Sequence, residues 1–189
     1  MDSIDVVRRG EELLNTPSRS AEQLRRRRHT GSMVAVSLRQ VGPRDVLDIV
    51  ERRRPTVGWA PDFPTDTDIE VARRVPPLPE ANYEPWSSPW LIVCDDVVAG
   101  MLGFKGPPAR GAIEVGYGVV PSCQRRGIAT AALAALLELL SPFELDVRAE
   151  TAAWNVASQC VLRRNGFVEC SRIATLDDGE LIEWRRVAQ

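Results

Sequence analysis

Two segments, Ala112–Ala131 and Asn155–Phe167, constrain this chain more than anything else in it. The first alternates apolar and small or polar residues from Ala112 to Val120 and turns at Pro121-Ser122. It then passes through Gln124-Arg125-Arg126-Gly127-Ile128-Ala129 into an apolar run that ends at Leu140. That pattern predicts a strand, a tight basic turn and a helix from Ile128 to Leu140. A helix that opens on small residues presents unpaired backbone N–H groups and the positive end of its dipole, which suits a phosphate or pyrophosphate. Arg125 and Arg126 add charge beside that turn. A Walker-type phosphate loop needs Gly-Lys followed by Ser or Thr, and the chain's single lysine, Lys105, is followed by Gly106. The dinucleotide fingerprint fails too, because Pro121 stands where Gly116-x-Gly118 needs its third glycine.

What matches is Q-x-x-G-x-A after a strand, followed downstream by N-x-x-S-x-x-x-L-x-x-x-G-F. Together these motifs resemble the GNAT superfamily of acyl-CoA-dependent N-acyltransferases, close to the ribosomal-protein N-acetyltransferase branch. The resemblance runs from about Val34 to Arg186. It implies an α/β (α+β) fold with a central mixed, mostly antiparallel sheet of six to seven strands covered by about four helices. It further implies acetyl-CoA as acyl donor, its pyrophosphate on the backbone of Gln124, Arg125, Arg126, Gly127, Ile128 and Ala129, with the Thr130 hydroxyl assisting. Backbone groups at Val119 and Val120, where the fold splays, would hold the pantetheine arm and polarise the thioester carbonyl. Asn155 would cap the second helix and hydrogen-bond pantetheine.

In the strand from Ala112, Glu114 shares a face with Gly116 and Gly118, while Ile113, Val115, Tyr117 and Val119 take the other. A carboxylate beside two glycines suggests a cleft floor where a ligand approaches the backbone. Glu114 is therefore the candidate general base, against the plainer reading of a half-exposed glutamate paired with a neighbouring strand. Relatives carry a tyrosine, the proton donor to the departing thiolate, where this chain has Leu162. Ser158, one turn earlier, is the candidate substitute; its alternative is a hydroxyl serving the first helical turn. Trp59 and Phe63 are candidates for the acceptor pocket, the alternative being core packing. Asp62, Asp66, Asp68 and Glu70 would form an acidic rim that attracts a protonated amine.

The rest of the chain agrees. Strands are expected at Val34–Leu38, Trp90–Cys94, Val97–Phe104, Ala112–Val120, Leu145–Thr151, Phe167–Ala174 and Leu181–Arg186. Helices are expected from Pro43, around Asp68–Val75, at Ile128–Leu140 and at Val156–Asn165. Residues 1–32 carry seven Arg against five acids and read as a charged, mobile extension or a basic arm, with the acyltransferase domain at 33–189. A net charge of −2 does not suggest a nucleic-acid binder. No run is long enough to span a bilayer, and no signal peptide opens the chain, so a cytoplasmic protein is expected. The four cysteines lack C-x-x-C spacing and read as reduced, mostly buried thiols without a metal. The single histidine, His29, cannot join a nucleophilic pair in the domain, so direct ternary-complex transfer to a primary amine is expected. The amine belongs to a small molecule or a protein N-terminus. The alternatives are another acyl-CoA, such as succinyl-CoA, and a non-catalytic acyl-CoA-binding regulatory domain. The protein would be a monomer or homodimer.

Overall fold

The computed structural model describes residues 34–54, 58–77, 84–175 and 179–188. The extension at 1–32, with its arginine run and His29, lies outside the described residues. The strands are β1 (Val36–Gln40), β2 (Gly58–Trp59), β3 (Trp90–Cys94), β4 (Val97–Phe104), β5 (Ala112–Val119), β6 (Asp146–Ala152), β7 (Val168–Thr175) and β8 (Gly179–Arg186). The helices are α1 (Pro43–Val50), α2 (Asp66–Arg73), α3 (Ile128–Leu140) and α4 (Val156–Arg164). One sheet runs β1-β3-β4-β5-β6-β8-β7, with β2 alongside β4. Its neighbours are antiparallel except β5–β6 and β2–β4. The described strands thus number eight, the short β2 being the one that the sequence pattern did not announce.

Helix α3 is apolar nearly all round, as befits a helix covered on most sides. Ile128, Ala132, Leu133, Leu136, Leu137 and Leu140 are buried. They pack over β1, β3 and β5 and against α4. Each large side chain so removed from water contributes about 1.5–3 kcal/mol. On the far half of the sheet Trp184 is fully buried in β8. Its indole N–H donates to Thr151 Oγ1 at 2.9 Å, and the Arg163 guanidinium lies 5.0 Å from its ring. That side chain therefore ties β8 to β6 and α4. Cys94 and Cys123 are buried as expected, whereas Cys160 and Cys170 are exposed, because their positions on α4 and the edge strand β7 face outward.

Gly100 sets the seam between β4 and β5. Its φ of +155° and the Gly118 carbonyl oxygen, 2.1 Å from where a Cβ would stand, leave no room for a side chain. The register along the seam is unbroken from Gly100↔Val119 to Phe104↔Val115. On the other edge of β5 the parallel pairing with β6 covers only Ala112, Ile113 and Glu114. The sheet therefore parts after Glu114, well before the end of β5.

Candidate active site

The register decides which backbone groups face the opening. Lys105 N–H donates to Glu114 O, and Val120 N–H donates to Ala99 O, both at 2.9 Å, so Glu114, Gly116, Gly118 and Val120 direct their amides at β4. By antiparallel alternation Val115, Tyr117 and Val119 direct theirs the other way, into the gap left by β6. Of the two valines expected to present free groups, Val119 turns its N–H to the gap, and Val120 spends its own on β4. The Val119 carbonyl accepts from Gln124 Nε2 at 2.8 Å, which fixes the start of the basic turn to the end of β5.

That turn has the backbone expected of an anion cradle. Arg125 has φ +62°, and Gly127 has φ +78° as the N-cap of α3. With no side chain at Gly127, α3 begins without a side-chain cap, and a Cβ built there would meet nothing within 4 Å. The first N–H groups of Ile128, Ala129 and Thr130 thus lack a side-chain cap beside an open position, an arrangement that fits a pyrophosphate. Gly116 and Gly118 are equally open above β5. Arg125 is exposed. Arg126 instead donates to Asp95 Oδ2 at 2.8 Å, on the β3–β4 turn. The two sequence motifs meet directly: Asn165 Nδ2 donates to the Thr130 carbonyl at 3.3 Å.

Glu114 lies on the glycine face of β5, where the sheet parts, with its side chain 32% exposed. Its Oε1 is shut off from water and faces the Lys105 ammonium in an ion pair rather than an aligned hydrogen bond. Lys105 Nζ also donates to Glu150 on β6, at 3.1 Å. Burial works against the Lys105 charge, but the two carboxylates outweigh it and hold the ammonium above the ordinary lysine value. Glu114 thus has both properties weighed from sequence, a floor position and a strand-to-strand partner. The partner is a cation.

Across the opening, Asn155 caps α4 by accepting from the Ser158 N–H at 3.0 Å. Ser158 Oγ lies 2.7 Å from the Tyr117 hydroxyl, which also donates to the Ser158 carbonyl at 3.1 Å. Burial pushes the Tyr117 phenol up to about 12, against the opposing pull of its Ser158 hydrogen bond. Leu162 is wholly buried, so nothing polar reaches the site from its position. Tyr117 is the residue that sequence reasoning passed over: alternation assigned it to the apolar face, with no sign that Ser158 would meet its oxygen.

On the side of the α1–α2 loop, Phe63 is 3% exposed and meets the half-buried Trp59 edge to face at 5.2 Å. Trp59 is the better placed of the two to touch a ligand; together with Asp62, Phe63 and Arg52 it lines a shallow hollow. The acids of the expected rim have partners of their own. Asp62 accepts from Ser122 N–H at 2.9 Å and from Ser122 Oγ at 2.5 Å, which holds its carboxyl below the ordinary range. Asp66 pairs with Arg52 at 2.6 Å, and Asp68 closes the capping box of α2 with Thr65. Glu70 is exposed on the surface of α2. Among the described residues no helix is long and apolar enough to cross a membrane.

A family model described as "Acetyltransferase (GNAT) domain" matches residues 36–168. No curated protein matches the chain. Among solved structures, RimL, the ribosomal L7/L12 alpha-N-protein acetyltransferase in complex with coenzyme A, is 22% identical with a TM-score of 0.58, over 83% of this chain and 96% of that one. The yncA protein of Salmonella typhimurium, with its cofactor acetyl-CoA, is 19% identical with a TM-score of 0.59, over 82% and 95%. The aminoglycoside acetyltransferase AAC(6')-Ib in complex with coenzyme A is 18% identical with a TM-score of 0.55, over 81% and 95%. At such identities the likeness is one of fold, and the family match carries the assignment.

Proposed function

The chain belongs to the GNAT acetyltransferase family, and on that premise we propose that it moves the acetyl group of acetyl-CoA directly to a primary amine of a small molecule or a protein N-terminus. The observation that carries this reading is the parting of β5 from β6 after Glu114. It leaves the amides of Val115, Tyr117 and Val119 facing a gap that ends at the uncapped start of α3. The donor's pyrophosphate belongs on the Gln124–Ala129 turn and Thr130, and its pantetheine along the free edge of β5, near Asn155. Bound there, it supplies a thioester, an acyl group with a good leaving thiolate. The solved relatives that hold coenzyme A or acetyl-CoA support this choice of donor.

The chain's own groups then divide the work. Glu114 accepts a proton from the acceptor amine through a water, because the carbonyl lies farther along β5, and the amine must be neutral to attack. The Val119 N–H faces the gap where negative charge gathers on the carbonyl oxygen, the kind of preorganised donor that contributes most to such reactions. Ser158 donates a hydrogen bond to the departing sulfur, and solvent supplies the proton that makes the thiol. Tyr117, held protonated by its high pKa, keeps the Ser158 oxygen in place. A thiol-release assay tests the proposal: acetyl-CoA with a pool of primary amines is expected to release coenzyme A in an amine-dependent manner. Cofactor binding without such release from acetyl-CoA or succinyl-CoA would make this a binding domain, not a catalyst.

A further inference from the structure

A glutamate acts as a base through one carboxylate oxygen, and its flexible side chain must hold that oxygen toward the proton it takes. In Glu114 the two oxygens are not equivalent. Oε1 is shut off from water and in contact with the Lys105 ammonium, while the side chain as a whole is 32% exposed. Oε2 is thereby left as the oxygen open to a water on the glycine face of β5. The lysine is itself fixed at both ends. Its backbone N–H donates to Glu114 O at 2.9 Å, and Nζ donates to Glu150 at 3.1 Å. Glu150 stands on β6 beyond Glu114↔Arg148, the last pair of the parallel ladder. Lys105 therefore reaches from the end of β4 over β5 to β6, at the point where those two strands part. Neighbouring charges do not duplicate it. The ion pair of Glu114 is with Lys105 and not with Arg148, its register partner, and Glu183, in register with Glu150, accepts from Ser171.

We propose that Lys105 is a positioning residue for acyl transfer: it binds Glu114 Oε1, keeps Oε2 turned to the opening, and is held in place by Glu150. This rests on the assignment of Glu114 as the base that serves the acceptor amine through a water. Lys105 touches no substrate and acts only through the carboxylate. With its side chain 52% exposed, the ion pair adds little to stability, so its removal should leave the fold intact. Without the ammonium, the carboxylate is free to swing its enclosed oxygen out to solvent. A misplacement of about 1 Å is enough to cost about a hundredfold in rate. The loss should fall on kcat and spare the donor, whose pyrophosphate belongs at the other end of β5.

The experiment is steady-state kinetics of the full chain with acetyl-CoA and the best acceptor from a pool of primary amines. The variants are Lys105→Met, Lys105→Arg, Glu150→Gln, Glu114→Gln and the Lys105→Met, Glu114→Gln double variant. Thermal shift with coenzyme A reports folding and donor binding for each. Lys105→Met should lower kcat at least tenfold and keep its coenzyme A shift, and Lys105→Arg should recover most of the rate. Glu150→Gln should lose several-fold. In the Glu114→Gln background Lys105→Met should cost nothing more, which a merely structural lysine would not show. An unchanged or raised kcat in Lys105→Met overturns the proposal, as does a loss that recurs in full in the Glu114→Gln background. Should Lys105→Met fail to fold, Glu150→Gln decides, and a full rate there overturns the proposal. If Glu114→Gln alone has lost turnover, the proposed function stands without Lys105. If the parent shows no amine-dependent release of coenzyme A, both fall.

Discussion

The Tyr117 hydroxyl lies 2.7 Å from Ser158 Oγ, joining β5 to α4 over the stretch where β5 has lost its β6 partner. Neither residue belongs to the sheet's hydrogen-bonded ladder on that side, so the contact bridges the proposed donor cleft rather than the core. Burial pushes the phenol up to about 12, so Tyr117 stays neutral and serves as a hydrogen-bond partner that supports Ser158.

Ser158→Ala is expected to lower kcat about tenfold to a hundredfold, the worth of one hydrogen bond to a developing thiolate that already leaves readily. Tyr117→Phe should cost less, and the double variant no more than Ser158→Ala alone, since the phenol acts through the serine. Steady-state kinetics of the three variants check this. Additive losses would show that Tyr117 acts by some other route.

Gly127→Asp should abolish coenzyme A binding. The substituent brings a negative charge to the open end of α3, where it competes with pyrophosphate for the same N–H groups. Nothing stands within 4 Å of the added Cβ, so the cost to the free protein is the left-handed φ of +78°, about 1 kcal/mol. Gly127→Ala bears that same backbone cost without the charge. Thermal shifts with and without coenzyme A should therefore show two folded variants, only one of which loses its ligand-induced stabilisation.

Glu114→Gln should leave donor affinity nearly intact and reduce turnover by roughly a hundredfold or more. The deficit should shrink at high pH, where the acceptor amine deprotonates without help. Donor Kd by calorimetry and a pH–rate profile separate the two effects. A variant with unchanged turnover on its best acceptor would reassign Glu114 to the ion pair with Lys105 alone.

Local signals carried most of the architecture. Helix α3 was legible to its end residues, because Gly127 and a nearly apolar run, interrupted only by Thr130 and Glu138, mark its start and length. Asn155 announced α4 because an Asn three residues before a first-turn amide is an N-cap in any context. The features that make a site were not local. The parting of β5 from β6 depends on a register between distant segments, and no residue in either strand advertises where it ends. Lys105 lies just past the expected strand Val97–Phe104 with no local sign of a partner, and only the strand pairing sets it between Glu114 and Glu150. The short β2 has two residues and no alternation to read. The acids around α2 had the right charge for an amine-binding rim, but charge alone does not reveal that Thr65, Arg52 and Ser122 already claim them.

Asp62 carries the last prediction, now as a tether rather than a rim. Its carboxylate takes both polar hydrogens of Ser122, the residue that opens the path into the Gln124–Gly127 turn, while its backbone sits in the loop beside Trp59 and Phe63. It thereby links the α1–α2 loop to the turn that leads into α3, the turn proposed to hold the donor. Asp62→Ala should weaken coenzyme A binding several-fold, although Asp62 itself belongs to the other loop. The acidity of this group sets the pH response. Its pKa is depressed in the folded protein by the Ser122 hydrogen bonds, so the tether is fully present above the unfolded aspartate value and is lost as pH falls through the lower, folded one. Coenzyme A affinity in the parent should therefore hold through mild acid and drop only at the acid end of the folded range. In Asp62→Ala the affinity should be low from neutral pH downward, with that particular drop missing. Calorimetric titration across the acid range, with circular dichroism to confirm the fold at each pH, decides the matter. A variant that binds coenzyme A as tightly as the parent at neutral pH would show that the loop and the turn are independent.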